Sequence, residues 1–304
     1  MASAFAVYGP GRVGVALARR FAAAGFDCLG FVGRDASRVA QAAARCRARS
    51  ATSLERADVA RATFVVLAVS DPALREVVAG IASAKAARRC SLWFHTSGLH
   101  DLAPLAPLAD AGCRIGILHP VTPVPAPADD AGPGPDDALR GRAALLSGDP
   151  NARRLLRVLA RKAGFVGVDD PGVDRVRYHA ACALAANGLT ALAGVVARLF
   201  AELGLPPLHR DLMHAALRMV DRLGETDAMT GPVVRGDAAT VGAHLDAFAA
   251  GRDDGAALAL YRALAAAACE RLVHDGRLSN DDAARITATL ARATRTRHDP
   301  PPHG

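Results

Sequence analysis

The sequence predicts an α/β fold in which a doubly wound, parallel sheet of the Rossmann type precedes an all-helical domain. Over the first half of the 304-residue chain, short apolar runs alternate with helical patterns, which is typical of repeated βαβ units. After residue 173, long Ala- and Leu-rich helical stretches replace this alternation. At roughly 150 residues per domain, the length fits about two domains.

The elements of the predicted sheet follow one another at short intervals. Its strands are predicted at Ala4–Tyr8, Cys28–Val32, Thr63–Val69, Ser91–His95, Ile115–Leu118, Ala143–Leu146 and Phe165–Val168. Its helices are predicted at Arg12–Ala24, Ser37–Arg47, Pro72–Ala84 and 151–163. The Pro-, Gly- and Asp-rich segment 123–137 predicts a surface loop.

The domain boundary is predicted within Asp169–Gly172, where a Pro-Gly pair follows two aspartates. This gives a Rossmann domain at 1–172 and a helical domain at 173–296. Three consecutive prolines in the segment 297–304 predict a disordered tail. The predicted helices of the second domain are 174–203, 207–224, 238–250, 255–275 and 280–296.

Composition excludes several classes of protein. Apolar residues make up 51% of the chain, which is enough for a sizeable core and excludes disorder as its main state. The net charge of +7 comes from dispersed arginines without interleaved aromatics, so we predict no nucleic-acid partner. The six cysteines show no CxxC and no regular spacing, and the N-terminus lacks a signal-peptide pattern. We therefore expect reduced thiols, no metal and a cytoplasmic location.

The uncharged stretch Ala180–Ala197 is long enough to raise the question of a membrane span. It is mostly Ala and Gly, and it contains Asn187 and Thr190. A buried or interface helix is therefore the favoured interpretation, and we predict no membrane partner.

The motif Gly9-Pro10-Gly11-Arg12-Val13-Gly14 fits the GxGxxG pattern and stands between the first strand and the first helix. In this context Gly9 permits a tight turn, Gly11 lets the backbone approach a pyrophosphate, and Gly14 allows close helix–strand packing. The helix N-terminus then faces the anion. The alternative is a tight turn without a nucleotide.

The end of the second strand predicts NADP as the cofactor. Arg34 lies 20 residues after Gly14, where an arginine accommodates a 2′-phosphate and an acidic residue would select NAD. Ser37 and Arg38 could add a hydroxyl and a second guanidinium. Alternatively, Ser37 is a helix N-cap and Asp35 a turn residue.

Polar residues also follow the later strands. Ser70 could contact the nicotinamide side, whereas Asp71 before Pro72 is favoured as a helix cap. His95 and Ser97, within His-Thr-Ser-Gly, could orient a carbonyl or carboxylate group. His119 follows the next strand in the same way. For both histidines, the alternative is a loop side chain that hydrogen-bonds the backbone.

The helical domain contributes three further candidates. His179 and Asn187 lie about two turns apart on one apolar helix, where an asparagine is expected to hydrogen-bond something specific. A structural bond between helices is the alternative. Arg235 could hold a substrate carboxylate by a bidentate contact, and Asp237 is predicted to cap the helix that begins at Ala238.

In this order, the motifs resemble a family of bacterial proteins with a Rossmann domain and a helical domain of unknown function. The N-terminal part of that family is similar to F420-dependent NADP oxidoreductases. The resemblance covers about residues 4–275 and rests on these segments: GPGRVG, GRDASR, HTSG, HP at 119–120, YHAACALAAN, TGPVVRGD and LYRAL.

The family is similar to the superfamily that contains 6-phosphogluconate, 3-hydroxyacid and prephenate dehydrogenases and pyrroline-carboxylate and ketopantoate reductases. The resemblance implies NADP-dependent reduction of a small 2-oxo acid, with ketopantoate the best single candidate, and a homodimer formed through the helical domain. This sequence departs from the superfamily pattern at Ala183. Ketopantoate reductases and hydroxyacid dehydrogenases have a lysine there, four residues before the asparagine that matches Asn187. No lysine occurs after residue 162.

A different general acid must therefore act, and the likeness to prephenate dehydrogenases at His-Pro places this role on His119, with His179 as the runner-up. Ser97 and Asn187 are expected to orient the carbonyl group and Arg235 to hold the carboxylate, while F420 or a flavin as redox partner stays open. The alternative function is a non-catalytic NADP-binding redox sensor.

Overall fold

The computed structural model describes residues 3–83, 92–124, 139–251 and 255–292. These residues form two compact units, one ending at Ala186 and one beginning at Asn187. The sequence places the boundary at 172/173 instead. The difference concerns one helix, because residues 175–183 pack on the sheet of the first unit through the contacts described below.

Within the described residues, the first unit contains one seven-stranded sheet. Its strands have the order β2-β1-β3-β4-β5-β6-β7, and β1 to β5 run parallel. The strands are β1 Ala4–Tyr8, β2 Asp27–Val32, β3 Phe64–Leu67, β4 Leu92–His95, β5 Arg114–Pro120, β6 Ala143–Gly148 and β7 Val166–Asp169. The predicted α/β class and all seven predicted strands are confirmed, with small shifts at their ends.

The last two strands differ from the prediction of a parallel sheet. β6 runs antiparallel to β5, with Ile117 opposite Ser147, and β7 runs parallel to β6. Because β6 follows β5 without a described crossover helix between them, it can return in the opposite direction. Most of the predicted loop 123–137 lies outside the described residues.

Helices cover both faces of the sheet, as the βαβ pattern requires. One face buries a cluster that includes stacked Phe5 and Phe64, and the other buries a cluster around Trp93. The helices of this unit are α1 Arg12–Ala23, α2 Ala36–Cys46, α3 Arg56–Val59, α4 Asp71–Ser83, α5 Ala106–Asp110, α6 Pro150–Lys162 and α7 Arg175–Ala183, with a 3₁₀ turn at Ala103–Leu105.

The second unit is helical in all its described residues. Its core joins three helices through side chains such as Val241, Leu272 and Ile286. The helices are α8 Leu189–Glu202, α9 His209–Leu223, α10 Ala238–Ala250, α11 Gly255–His274 and α12 Asn280–Ala291. The predicted helices are confirmed, and the predicted tail 297–304 lies outside the described residues.

One long helix crosses the boundary between the units. α7 continues through a π-helical turn, Leu184–Gly188, into α8. By length and composition alone, this helix could span a membrane: its most apolar window has a mean hydropathy of 1.8 and contains no buried residue. This helix is therefore not buried within the chain, contrary to one of the two predicted states. That it lies at an interface stays a prediction.

No disulfide bond joins any of the described cysteines. Cys28, Cys46, Cys113 and Cys269 are buried, and Cys182 is partly exposed. Burial raises the pKa of Cys28 to about 12, so this thiol is protonated and unreactive at neutral pH. Cys90 lies outside the described residues.

Candidate active site at the carboxyl edge of the sheet

The three glycines of the first turn have different surroundings. Gly9 has a φ of 99°, and a β-carbon there would lie 2.4 Å from the Ala68 carbonyl oxygen. A β-carbon on Gly14 would lie 2.2 Å from the Gly9 carbonyl oxygen, whereas one on Gly11 would meet nothing within 4 Å. Gly9 and Gly14 are thus required by packing, and Gly11 leaves open space in front of the turn.

That open space lies at the N-terminus of α1. Gly11 caps this helix without any side-chain hydrogen bond, and the exposed Arg12 follows it. The N–H groups of the first helical turn, which includes Val13, therefore remain available to an anion. This is the arrangement that a dinucleotide pyrophosphate requires.

Two exposed arginines, Arg34 and Arg38, lie just beyond the end of β2. Neither side chain forms an ion pair within the described part of the chain. Asp35, and not Ser37, is the N-cap of α2: its Oδ1 accepts a hydrogen bond of 3.1 Å from the Arg38 N–H. Ser37 lies in the first turn, where its Oγ accepts from Gln41.

The turn after β3 places Ser70 at the same edge. Ser70 is exposed, and its carbonyl accepts from the Ala73 N–H at the start of α4. Asp71 is the first residue of that helix, followed by the predicted proline. Its carbonyl oxygen accepts a 3.1 Å hydrogen bond from His100 Nε2, which ties this turn to the loop after β4.

His95, predicted to bind substrate, is a fully buried structural residue in this arrangement. Its Nε2 donates to the Asp101 carbonyl at 2.9 Å, and its Nδ1 accepts from the Ser97 N–H at 3.2 Å. Burial lowers the pKa of His95 to about 4, so the ring is neutral. Because both ring nitrogens are occupied within the chain, His95 shapes the loop and has no free atom for a substrate.

Ser97 and Gly98 complete this loop. Ser97 Oγ accepts from the N–H groups of Leu99 and His100, both at 3.1 Å, so its hydroxyl proton is left to donate. Gly98 is buried against two imidazole rings. A β-carbon there would lie 2.7 Å from His119 Nε2 and 3.0 Å from His179 Cδ2. A glycine is needed at this position for the two histidines to come together.

His119 and Tyr178 form the central pair of the site. His119 Nδ1 lies 2.8 Å from the Tyr178 hydroxyl oxygen, and the two rings meet edge to face. His119 is half-buried at the end of β5, and no partner of its Nε2 is found among the described residues. Tyr178 is not among the residues predicted from the sequence, because only its contact with a distant strand reveals it.

Burial and charge fix the protonation of this pair. Burial, the positive charge of Arg175 and the nearby His179 lower the pKa of His119 to about 4. Burial and contact with Cys182 raise the pKa of Tyr178. At neutral pH the pair is therefore a neutral imidazole and a protonated phenol. His119 is therefore not an imidazolium at neutral pH.

Arg175 connects this pair to a buried polar cluster behind it. Its guanidinium carbon lies 5.8 Å from the centre of the Tyr178 ring, within range of a cation–π contact. Its Nη2 donates to Ser147 Oγ and to Asp170 Oδ2. Burial raises the pKa of Asp170, but hydrogen bonds from Ser147 and from the backbone N–H groups of Val173 and Gly172 bring it below its ordinary value. The pair Arg175–Asp170 is thus a buried ion pair.

The remaining predicted residues lie in the second unit. Asn187 is exposed and lies in the π-helical turn, a feature that is frequent at functional sites. Arg235 is exposed in the turn before α10. Asp237 caps α10 as predicted, because its Oδ1 accepts from the Thr240 N–H at 3.0 Å.

Family comparisons agree with this architecture. Residues 4–120 match the family model of the Rossmann-like domain, and residues 143–268 match that of a domain of unknown function, DUF2520. The chain is a Rossmann-like protein with a DUF2520 domain. The suspected family is thereby confirmed. No curated protein matches the chain by sequence.

Solved structures share the fold of this DUF2520 protein at low sequence identity. A candidate NADP oxidoreductase from Bacteroides fragilis is 20% identical, with a TM-score of 0.70, over 88% of this chain and 98% of that one. An imine reductase from Streptomyces aurantiacus is 17% identical, with a TM-score of 0.58, over 93% and 99%. A pyrroline-5-carboxylate reductase from Coxiella burnetii is 15% identical, with a TM-score of 0.51, over 95% and 97%. At these identities the likeness shows the fold.

Proposed function

We propose that this protein is an NADPH-dependent reductase of a small carbonyl or imine compound. One observation carries the proposal: the glycine turn with its open helix N-terminus and the His119–Tyr178 pair stand at the same edge of the sheet. β1 and β5 are separated by β3 and β4, so the two features are about 14 Å apart at the usual strand spacing. Ligands of doubly wound sheets bind at this edge.

The residues present fit NADP. Gly11 leaves room for the pyrophosphate, and the uncapped N-terminus of α1 offers N–H donors. Arg34 and Arg38 supply two exposed guanidinium groups where a 2′-phosphate would lie, and the last residue of β2 is Val32 rather than an acidic residue. Ser37 and Ser70 are proposed as further cofactor contacts. Bound NADPH would supply the hydride.

The His119–Tyr178 pair can supply the proton. When the Tyr178 hydroxyl donates to Nδ1, the single proton of the neutral imidazole lies on Nε2. As hydride reaches the carbonyl carbon of a substrate, Nε2–H gives its proton to the oxygen, and Tyr178 returns a proton to Nδ1. The phenolate is then reprotonated from solvent, and the neighbouring Arg175 charge stabilises it.

Ketopantoate is the first substrate to test, because the family resemblance suggests a 2-oxo acid. The likeness to an imine reductase and to a pyrroline-5-carboxylate reductase makes a cyclic imine the second. The exposed Asn187 and Arg235 are proposed as substrate contacts, together with the free hydroxyl proton of Ser97. His179, beside Gly98, is the alternative proton donor.

The direct test is oxidation of NADPH, followed by its absorbance, with ketopantoate or 1-pyrroline-5-carboxylate and a control without substrate. We expect saturable turnover with one of them. Replacing His119 or Asn187 by Ala should then lower turnover about a hundredfold or more, the scale of general acid catalysis. Normal turnover in both variants would refute the assigned roles while leaving the cofactor site intact.

Ala183 favours a second candidate function, a non-catalytic NADP-binding sensor. The partly exposed Ala183 stands where related reductases have a lysine. The sensor hypothesis predicts that NADPH binds without turnover for any carbonyl or imine tested. It also predicts that His119→Ala and Asn187→Ala leave the biological response unchanged.

We also propose that the protein is a cytoplasmic homodimer that forms through α7 to α9. Leu184, Leu203 and Leu212 are 76%, 73% and 63% exposed, and soluble monomers rarely expose large contiguous apolar patches. Light scattering of the purified protein should give twice the mass of one chain, and Leu184→Glu with Leu212→Glu should give the monomer. Recovery of the protein in the membrane fraction would instead assign the helix to a bilayer.

A further inference from the structure

A cavity lies on the face of the sheet that carries Ile117 and Ser147. Its volume is about 410 Å³, within the range of small-molecule sites. His119 is two residues further along β5 than Ile117, or about 7 Å. The polar lining of the cavity includes Asp101, Ser147, Arg153, Asp170 and Arg175.

Arg175 brings a buried, incompletely bonded guanidinium to this cavity. The residue is 7% exposed, and its Nη2 is used by Ser147 and Asp170. Its Nη1 is buried and has no hydrogen-bond partner among the described residues. An unpaired donor of a charged group is costly to bury, so a ligand acceptor at Nη1 would satisfy it.

Arg153 adds a second unsatisfied donor. It lies in the first turn of α6, and its Nε is buried without a partner in the described part of the chain. The charge of Arg175 is balanced by Asp170, whose Oδ1 also accepts from the N–H groups of Gly172 and Val173. No ion pair of Arg153 is found among the described residues, so the positive charge of Arg153 is not balanced by a neighbouring carboxylate.

The remaining acidic group lies at the rim of the cavity. Asp101 is exposed, and its Oδ1 is already used by the Ala103 N–H. Solvent screens an exposed charge of this kind more than it screens the buried guanidinium groups. The apolar side chains of Leu102, Ile117 and Val173 offer contact to the body of a ligand.

We infer that this cavity is a binding site for a small carboxylate, held by Arg175 Nη1 and Arg153 Nε. Charge-assisted N–H···O⁻ bonds to two guanidinium groups suit the two oxygens of one carboxylate. The carboxylate could belong to a separate effector or to the tail of the reductase substrate. The site itself does not depend on the proposed reductase activity.

Calorimetric titration of the full-length protein with malonate, and with neutral malonamide as control, tests the site. We expect saturable binding of malonate below about 10 mM and none of malonamide. Arg153→Gln should weaken malonate binding about tenfold or more. Its matched control is Arg154→Gln, because Arg154 is an exposed neighbour on the same helix outside the cavity lining.

A second variant keeps the charges and fills the space. Ala103→Phe at the exposed rim should abolish malonate binding while the thermal unfolding temperature stays unchanged. Equal binding of malonate and malonamide, or equal malonate affinity in all variants, would show that the two guanidinium groups do not recognise a carboxylate and would overturn the inference.

Kinetics separate the two sources of the carboxylate. If it belongs to the substrate, Arg153→Gln raises the KM of the oxo acid and leaves kcat nearly unchanged. If the carboxylate belongs to an effector, Arg153→Gln abolishes malonate binding and leaves the KM of the oxo acid unchanged. Binding in a protein without any turnover would support the site and count against the reductase function.

Discussion

The hydroxyl of Tyr178 lies 2.8 Å from Nδ1 of His119, although 59 residues separate them in the chain. A second pair has the same form: Tyr261 lies 2.8 Å from Nδ1 of His244 within the second unit, and its rings also meet edge to face. Tyr178 meets its histidine at the carboxyl edge of the sheet, beside Gly98. The two tyrosines thus allow a matched comparison.

Tyr178→Phe should lower kcat about a hundredfold, because the phenol that returns the proton to His119 is lost. Tyr261→Phe removes the same kind of hydrogen bond and should leave kcat within about twofold. Steady-state NADPH oxidation measures both. Equal effects of the two changes would show that Tyr178 acts through stability alone.

Arg34→Ala should weaken binding of NADPH far more than binding of NADH, because only NADPH carries the 2′-phosphate that this guanidinium would contact. Arg114→Ala is the control, since Arg114 is an exposed residue at the start of β5, the opposite end of the strand from His119. Fluorescence titration of each variant with NADPH and with NADH gives the ratio of the two dissociation constants. Equal weakening of NADPH and NADH binding would contradict the assignment.

The glycines of the first turn should respond differently to alanine. Gly14→Ala should destabilise the protein by about 1–3 kcal/mol, because its β-carbon collides with the Gly9 carbonyl. Gly11→Ala should leave the free energy of unfolding nearly unchanged and weaken NADPH binding, since its β-carbon would fill the open space. Denaturant unfolding and nucleotide titration measure the two effects. A Gly11→Ala protein that binds NADPH normally would place the pyrophosphate elsewhere.

Stability should fall as the pH decreases from about 6.5 to about 4. The folded protein holds His95 and His119 at pKa values of about 4, below the ordinary histidine value of about 6.5, so the unfolded chain binds more protons in this interval. Each histidine should cost at most about 1.4 kcal/mol per pH unit. Denaturant unfolding at several pH values measures the slope.

The histidine origin of this slope can be tested by substitution. His119→Gln should reduce the slope, because it removes one of the two histidines whose pKa is lowered on folding. A slope that His119→Gln leaves unaltered would mean that other groups cause the acid sensitivity.

Local pattern was sufficient for much of the candidate site. The GPGRVG turn follows a strand and opens a helix, so the roles of Gly9, Gly11 and Gly14 could be predicted from spacing. The proposed contact of Arg34 and Arg38 with a 2′-phosphate could likewise be predicted from their position just after β2. Similarly, His95 and His119 were both predicted at strand ends, because parallel strands bring their carboxyl ends to one edge.

Choosing between the two histidines required tertiary structure. Both ring nitrogens of His95 form hydrogen bonds, one with Asp101 and one with Ser97. In contrast, Nε2 of His119 has no hydrogen-bond partner among the described residues. This difference between the two histidines depends on the path of the loop after β4. In the sequence alone, both histidines are polar residues that follow an apolar run.

The sequence by itself determined the fold class and the glycine turn, because these depend on periodicity and on steric demands within a few neighbouring residues. Tertiary structure decided the partner of His119, the antiparallel return of β6 and the buried Arg175–Asp170 cluster. The physical reason is that each of these is a contact between segments far apart in the chain. Such contacts exist only once α7 and the strands have packed on one another.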